Sequence, residues 1–520
     1  MIITLLSFFI LTLAVFASVS GFGKLFLVSL RFNSNLVNNY KVLEFVFGLI
    51  VIGFFGMIIN YFTKIHDGIS FFFIGLGILL YLIFFIKKKT YKNELLFIIV
   101  LIFISAFFSF YSLSNDDFNY HFKTIINFKQ NPLIIDFLNT IQDSERISFN
   151  SHWLLINSIY YLSEYPFSIF CITSILYTLT IRDFYFSYIR NHKNLNFLPT
   201  IYSFFVLLFL LGVINYYKEY GTDFPGQIII LIILLIFFEN NLNFSNKKEY
   251  STFLILVSLS FFALSIKLIN ILIFLLLFFI FFRIKKKVYV LIVSSILSIP
   301  FNLWLIQNYL LTGCFLWPLP ITCFKNSEQA ADLYYVIEMF SKSLWPITQE
   351  KNRLLLENFN WVPIWFDSHF IKILETYMIY TIILIVPYAV LKIKNRKKIS
   401  LNLVEEKNNI YKLQINNPYL VFSFVSFFST IIWFIKSPGY RFGISYNLNF
   451  IIIFLIPLWH YIYFQNKKFF QTSIKIIMAL VLVFFIYKNA LKTNIYFERI
   501  GSKWPNIIDG KYFNTKFDEN

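Results

Sequence analysis

Leu95–Leu113 (LLFIIVLIFISAFFSFYSL) runs directly into Asn115-Asp116-Asp117-Phe118-Asn119-Tyr120-His121. A charge-free apolar run of this length crosses roughly 30 Å of hydrocarbon as a helix. Two adjacent carboxylates and a histidine then stand where lipid no longer covers the chain. The same alternation of long apolar runs and short polar breaks recurs along the sequence. Of its 520 residues, 58% are hydrophobic, 21% aromatic and 14% charged, which excludes an ordinary soluble globular protein.

By this length criterion there are about 14 candidate spans. They lie near 3–19, 42–62, 69–86, 95–113, 152–180, 196–214, 226–238, 252–264, 268–282, 287–305, 371–391, 418–435, 446–463 and 471–487. The predicted fold class is therefore all-α, a polytopic transmembrane helical protein. It divides into N-terminal transmembrane helices (1–94), a transmembrane core with an acidic outer loop (95–306), an outer aromatic and Pro-rich loop (307–370), C-terminal transmembrane helices (371–487) and an outer polar tail (488–520). The first apolar stretch has neither a basic n-region nor a small-residue cleavage site, so it reads as a retained helix.

A net charge of +18 raises nucleic acid as a partner, but its placement excludes that reading. The basic residues bunch in short loops: Lys87-Lys88-Lys89, Arg182 with Arg190 and Lys193, Arg283 with Lys285-Lys286-Lys287, and Lys392 to Lys398. With alternating spans these loops share one side, as the positive-inside rule requires. Membrane lipids, rather than nucleic acid, are the partners this charge predicts. The loops 114–150, 215–225, 265–270, 307–370 and 436–445 then fall on the opposite, outer side.

Residues 117–130 place Phe118, Phe122, Ile125 and Ile126 at helical spacing, which predicts an amphipathic helix lying on the membrane surface. Asp116 and Asp117 stand at its start, where a carboxylate caps the helix and complements its dipole. Capping accounts for one acid. It leaves the second, together with Tyr120 and His121 one turn on, as a candidate reaction centre.

Asp223 heads another re-entering span after Gly221, where it reads either as a cap or as part of the same site. Lys267 lies between two apolar runs, where an ammonium must pair or face a cavity. Arg441, in Pro438-Gly439-Tyr440-Arg441-Phe442-Gly443, offers a rigid fork of donors suited to phosphate or carboxylate. Snorkelling toward headgroups is the alternative for both cations. Arg146 and His152 end the first outer loop and face the same side. The tryptophans of 307–370 read as an interfacial belt or as platforms for a sugar ring. Cys314 and Cys323 can close a disulfide if this side is oxidising, and Cys171 reads as a buried small hydrophobe.

The acidic pair after an early span, the surface helix, Thr222-Asp223, Ile266-Lys267-Leu268, Asn308-Tyr309-Leu310-Leu311-Thr312-Gly313 and Pro438-Gly439-Tyr440-Arg441-Phe442 together resemble the GT-C superfamily of polytopic glycosyltransferases, over about residues 95–450. Their order and sidedness carry the resemblance, because Asp-Asp alone is a weak pattern. One departure is plain: three spans (3–19, 42–62 and 69–86) come before the one that leads into the acidic loop, where in well-understood members the loop follows the first span.

The resemblance implies an enzyme of a bacterial cytoplasmic membrane that moves a sugar from a polyprenyl-phosphate donor to an acceptor hydroxyl, with inversion. Asp117 or Asp116 would be the general base. Lys267 and Arg441 would stabilise the leaving phosphate. His121, Tyr120, Asp223, Arg146 and His152 would complete the substrate site. A divalent cation held by Asp117 and Asp223 is the one cofactor the resemblance leaves room for, since some members need a metal and others do not. A lipid-linked glycan polymerase or ligase, and a lipid or solute transporter, are the rival classes. The acids at the rim, rather than at mid-membrane, argue against the transporter.

Overall fold

The computed structural model describes residues 2–30, 39–86, 120–140, 148–194, 196–212, 220–240, 247–344, 359–399 and 417–500, with a few isolated positions between them. Among these residues there is no strand, only two isolated β-bridges, so the protein is all-helical as expected. Among the described residues, seven helices are long and apolar enough to cross a membrane, and up to nine if each of two bent pairs counts as one span. Three further apolar helices are shorter, at 197–212, 250–266 and 268–283. The segment 104–119, including the end of the 95–113 run, lies outside the described residues.

The first three helices are α1 (Ile2–Ser29), α2 (Lys41–Phe62) and α3 (Asp67–Ile86). Small residues let their backbones approach closely, as is usual where lipid supplies no hydrophobic drive between helices. A Cβ at Gly23 would run into the Glu44 carbonyl, and one at Gly48 into the Val19 carbonyl. These helices share one hydrophobic core with the rest of the chain and do not pack apart from it. Ser18 Oγ meets Tyr160 Oη at 2.9 Å, and the Asp183 carboxylate accepts the Val42 N–H at 2.8 Å, capping α2 from a distant helix.

The short helices α4 (Phe122–Gln130) and α5 (His152–Tyr160) precede the central group. That group is α6 (Cys171–Lys193), α7 (Phe197–Gly212), α8 (Asp223–Glu239) and α9 (Lys247–Ile266). Helix α8 is apolar on every face and is buried along nearly its whole length, as such a pattern demands. Charged residues pin both its ends. At the C-terminal end Arg190 Nη2 lies 2.8 Å from both Glu239 oxygens, and Asn191 donates to Glu239 at 2.6 Å. The N-terminal end carries the candidate site.

Next come α10 (Phe274–Arg283) and the bent pair α11 (Lys287–Leu297) and α12 (Ile299–Thr312), which turn by 50° at Ser298. Pro300, in the first turn of α12, lacks the N–H that would continue the helix. Helix α12 stops at Gly313, whose left-handed φ of 76° suits glycine. The chain closes with α13 (Ser327–Ser341), α14 (Ile371–Ile399), α15 (Asn417–Lys436), α16 (Ile444–Gln465) and α17 (Lys467–Ile500).

Three expectations change. Helix α4 does not lie on lipid: Phe122, Ile125 and Phe128 are buried in the protein core, and Lys129 is tied to Asp67 at 2.6 Å. Its apolar face finds a better partner in α5 than in the membrane surface. Region 307–370 is not a plain loop, since α12 runs to Thr312 and α13 lies within it. Trp317, Trp361 and Trp365 are buried, so they form neither an interfacial belt nor an open sugar platform, while Trp345 lies outside the described residues. Cys314 and Cys323 are joined in a disulfide, and Cys171 is buried and free.

Gly48→Leu is expected to destabilise the protein by about 1–3 kcal/mol or more through overpacking. Gly75, with open space where its Cβ would stand, serves as the control. Gly75→Ala should leave stability in detergent within about 0.5 kcal/mol of the parent, and equal thermal midpoints for both variants would remove the close approach as the cause.

Candidate functional site

Asp223 opens α8 at a helix N-terminus, where the dipole favours a carboxylate. It does not cap by side chain. Its carboxylate instead pairs with Lys267 through Oδ1 and with Arg441 Nε through Oδ2 at 3.3 Å. Lys267 follows the last turn of α9, and Arg441 lies in the 3-10 turn Tyr440–Gly443 before α16. Three segments far apart in sequence thus meet at one charge. The carboxylate is largely buried, Lys267 less so, and Arg441 is the most open, at 45% side-chain exposure.

Both cations also stand over one ring. Lys267 Nζ is 3.8 Å and Arg441 Cζ 5.4 Å from the Phe442 ring centroid, within cation–π range. Gln227, one helical turn after Asp223, clamps the turn that carries Arg441. Its Nε2 donates to the Phe442 carbonyl at 3.1 Å and to Asn270 Oδ1 at 3.2 Å, while its Oε1 accepts the Ser445 N–H at 3.0 Å. Trp365 Nε1 donates to the Pro438 carbonyl at 2.7 Å behind the same turn. Lys372 Nζ lies 5.6 Å from the Tyr440 ring and adds a further cation nearby.

His121 closes the site from the side of α4. A Cβ at Gly221 would lie 2.6 Å from His121 Cε1, so glycine is what lets the ring seat there. Trp153 Nε1 holds the Tyr220 carbonyl at 3.0 Å and so fixes the strand of chain leading into Asp223. Tyr120 lies with its ring 4.0 Å from that of His121. Burial alone would raise the Asp223 carboxyl, but the Lys267 ammonium, the Arg441 guanidinium and the His121 ring outweigh it and hold the carboxyl below its ordinary value.

The structure therefore brings together Asp223, Lys267, Arg441, His121 and Tyr120. It does not bring in His152, whose Nδ1 pairs with Ser265 Oγ at 3.2 Å and whose ring sits against Gly53. Asp116, Asp117 and Arg146 lie outside the described residues. Phe442, Gln227 and Lys372 were not singled out from sequence. Phe442 adjoins Arg441 in the quoted turn, and Gln227 follows Asp223 by four, so helical spacing was the available signal. For a divalent cation, Asp223 does not fit: cations occupy both its oxygens. Among the described residues no group of three or more metal-ligating side chains forms.

The match to a family of known sequence extends over residues 1–448. The chain belongs to the family described as a domain of unknown function, DUF8201. The matched range takes in the three N-terminal helices and every residue of the Asp223 cluster. No curated protein and no solved structure matches the chain.

Asp223→Asn is expected to lower stability by about 3 kcal/mol, because it strands a partly buried ammonium. The double variant Asp223→Leu with Lys267→Met should recover most of that loss. Because the folded carboxyl titrates below its unfolded value, the ionised cluster stabilises the protein above about pH 4, and this is lost as pH falls through the lowered folded value. The difference in thermal midpoint between parent and Asp223→Asn should accordingly hold from pH 7 to about pH 5 and shrink below about pH 4. A pH-independent difference would contradict the assigned ionisation.

Proposed function

We propose that the protein is a membrane glycosyltransferase that moves a sugar from a polyprenyl-phosphate donor to an acceptor hydroxyl. The single observation that carries this reading is the meeting of Asp223, Lys267, Arg441 and His121 at one end of an apolar helical bundle. Two cations share a partly open face there, next to His121, which follows Asp116 and Asp117 in the sequence. Such a cluster suits an anionic headgroup whose hydrocarbon chain stays among the helices.

In this reading the finer topology is GT-C-like. The shorter apolar helices would complete further crossings toward about 14 spans, and the lysine-rich loops would face the cytoplasm of a bacterial cell. Asp117, or Asp116, takes the proton of the acceptor hydroxyl. The acceptor oxygen bonds to the anomeric carbon as the bond from that carbon to the donor phosphate oxygen breaks, which inverts the centre. The lipid phosphate leaves with the electron pair, and Lys267 and Arg441 stabilise its charge. Asp223 holds the two cations at the correct spacing and is a positioning residue. A divalent cation would have to draw on residues 116 and 117.

Transfer from a radiolabelled polyprenyl-phosphate sugar into a new glycosidic product, in proteoliposomes, tests the reading. Asp117→Asn should abolish transfer, by at least about 100-fold, with expression and membrane insertion intact; full activity would remove Asp117 as the base. Arg441→Gln should lower kcat by about 100-fold with a smaller fall in thermal midpoint than Asp223→Asn, since nearly half of its side chain is exposed and Lys267 still pairs with Asp223. Lipid translocation without any new glycosidic bond would replace the transferase by a transporter.

A further inference from the structure

The uncharged stretch that begins with α11 does not end where α12 ends. No Asp, Glu, Lys, Arg or His occurs between Lys287 and Lys325, although the helix stops at Thr312. The remaining residues, 313–324 (GCFLWPLPITCF), fold back as a short hairpin closed by the Cys314–Cys323 disulfide. Part of it is buried in a small apolar core, where Cys314 and Trp317 pack with Leu138, Ala330 and Leu333. The rest is open: Ile321 is 94%, Phe324 76% and Phe315 37% exposed. Single exposed apolar side chains are ordinary, but three within one hairpin call for a partner.

Two observations select the bilayer as that partner. The first is continuity. On α12 the side chains of Ile299 and Ile306 stand two turns apart and are each about half exposed, and in a lipid-crossing pair such a strip faces acyl chains. Tyr309 follows one turn later, its ring 5.2 Å from that of Phe315 and 6.1 Å from that of Phe324. Those two rings are themselves 5.9 Å apart. The apolar strip therefore continues off the end of the helix and onto the hairpin.

The second is the backbone. A segment that enters lipid must satisfy its polar backbone groups internally. Here the Phe315 N–H donates to the Thr322 carbonyl at 3.1 Å, and the Phe324 N–H to the Gly313 carbonyl at 2.9 Å. The Leu316 N–H donates to Thr322 Oγ1 at 3.1 Å, and the Leu319 N–H to the Leu316 carbonyl at 2.7 Å. Thr322 and Cys323 donate to the carbonyls of Leu319 and Pro320, while Pro318 and Pro320 have no N–H to satisfy. A hairpin that uses its donors on itself suits acyl chains better than a polar protein surface. Polarity returns at once beyond it, since Lys325, Glu328, Gln329 and Asp332 are all exposed. An apolar tip backed directly by charge is the pattern of a segment lying at the headgroup boundary.

We propose that Phe315, Ile321 and Phe324 dip into the headgroup–acyl boundary of the bilayer beside α12, with Lys325 among the headgroups, and anchor the hairpin there. The anchor bears on the candidate site through a chain of contacts. Phe149 packs against the hairpin's core, and its ring lies 6.1 Å from that of Tyr120, which adjoins His121. This membrane contact is independent of sugar transfer, so the two readings stand or fall separately.

The test uses the full-length protein, with its disulfide intact, in phosphatidylcholine vesicles. A phosphatidylcholine carrying a diazirine near the top of its acyl chain should label residues 315–324 and 299–306, and label 328–332 at least about tenfold less. A water-soluble diazirine should show the opposite preference between 315–324 and 328–332. Ile321→Asp combined with Phe324→Asp should cut acyl-probe labelling of 315–324 by at least about fivefold and leave that of 299–306 unchanged. Both substituted side chains are exposed, and mapping of the Cys314–Cys323 bond in the variant checks that the hairpin still closes. Labelling of 315–324 by the aqueous probe alone would overturn the anchor and leave the hairpin standing in water. Protection of the parent hairpin from both probes would also overturn it, because the patch would then be covered by protein, a second copy of this chain included.

Discussion

The Asp223 carboxylate, held between Lys267 and Arg441, is the interaction on which the rest of the arrangement depends. Helix α8 is apolar all round and surrounded by apolar neighbours, so packing alone says little about its rotation or its axial position. Its ends supply that information. A buried carboxylate without a partner is costly, so the start of α8 must lie where α9 ends and where the turn before α16 begins. Glu239 does the same at the far end, where Arg190, Asn191 and Ser187 gather around it. From Asp223 to Glu239, 17 residues with both anchors included, α8 is a strut of about 25 Å.

A second constraint acts on the N-terminal helices, where glycines replace charge as the means of fixing register. Gly23 and Gly48 let backbone meet backbone, and the Asp183 carboxylate caps the start of α2. The result binds α1, α2 and α3 into the common core. Close packing there contrasts with a cavity of about 280 Å³ beside it. Pro300 prevents α11 and α12 from forming one straight rod, and side chains of α1, α2 and α9 surround the space left over.

Much of the site was legible in the sequence because charge is scarce in this chain. In an apolar background Asp223, Lys267 and Arg441 each stand out, and each needs a partner for the same electrostatic reason. His121 was legible through its position after the acidic pair. His152 pairs with Ser265 instead of joining the cluster, and a histidine at a span entry looks alike in sequence whether it faces a polar site or a serine inside an apolar wall. Phe442 and Gln227 carry no comparable signal in the sequence, since one is a phenylalanine among 69 and the other an uncharged amide. The face of 122–130 was read correctly as apolar, but a periodic pattern cannot distinguish a lipid surface from a protein surface.

By itself, the sequence determined that this is an all-helical protein with several segments able to cross a membrane, since helix length and hydrocarbon thickness are local matters. It also determined which few residues carry charge into that setting. Only the tertiary structure decided which of these charges meet, because pairing depends on how helix ends from residues 223, 267 and 441 converge. It alone decided that the tryptophans of 307–370 turn inward, that Cys314 joins Cys323, and that a cavity lies against α1 and α2. Each of these is a contact between distant segments, and no spacing along the chain encodes the distance between them in space.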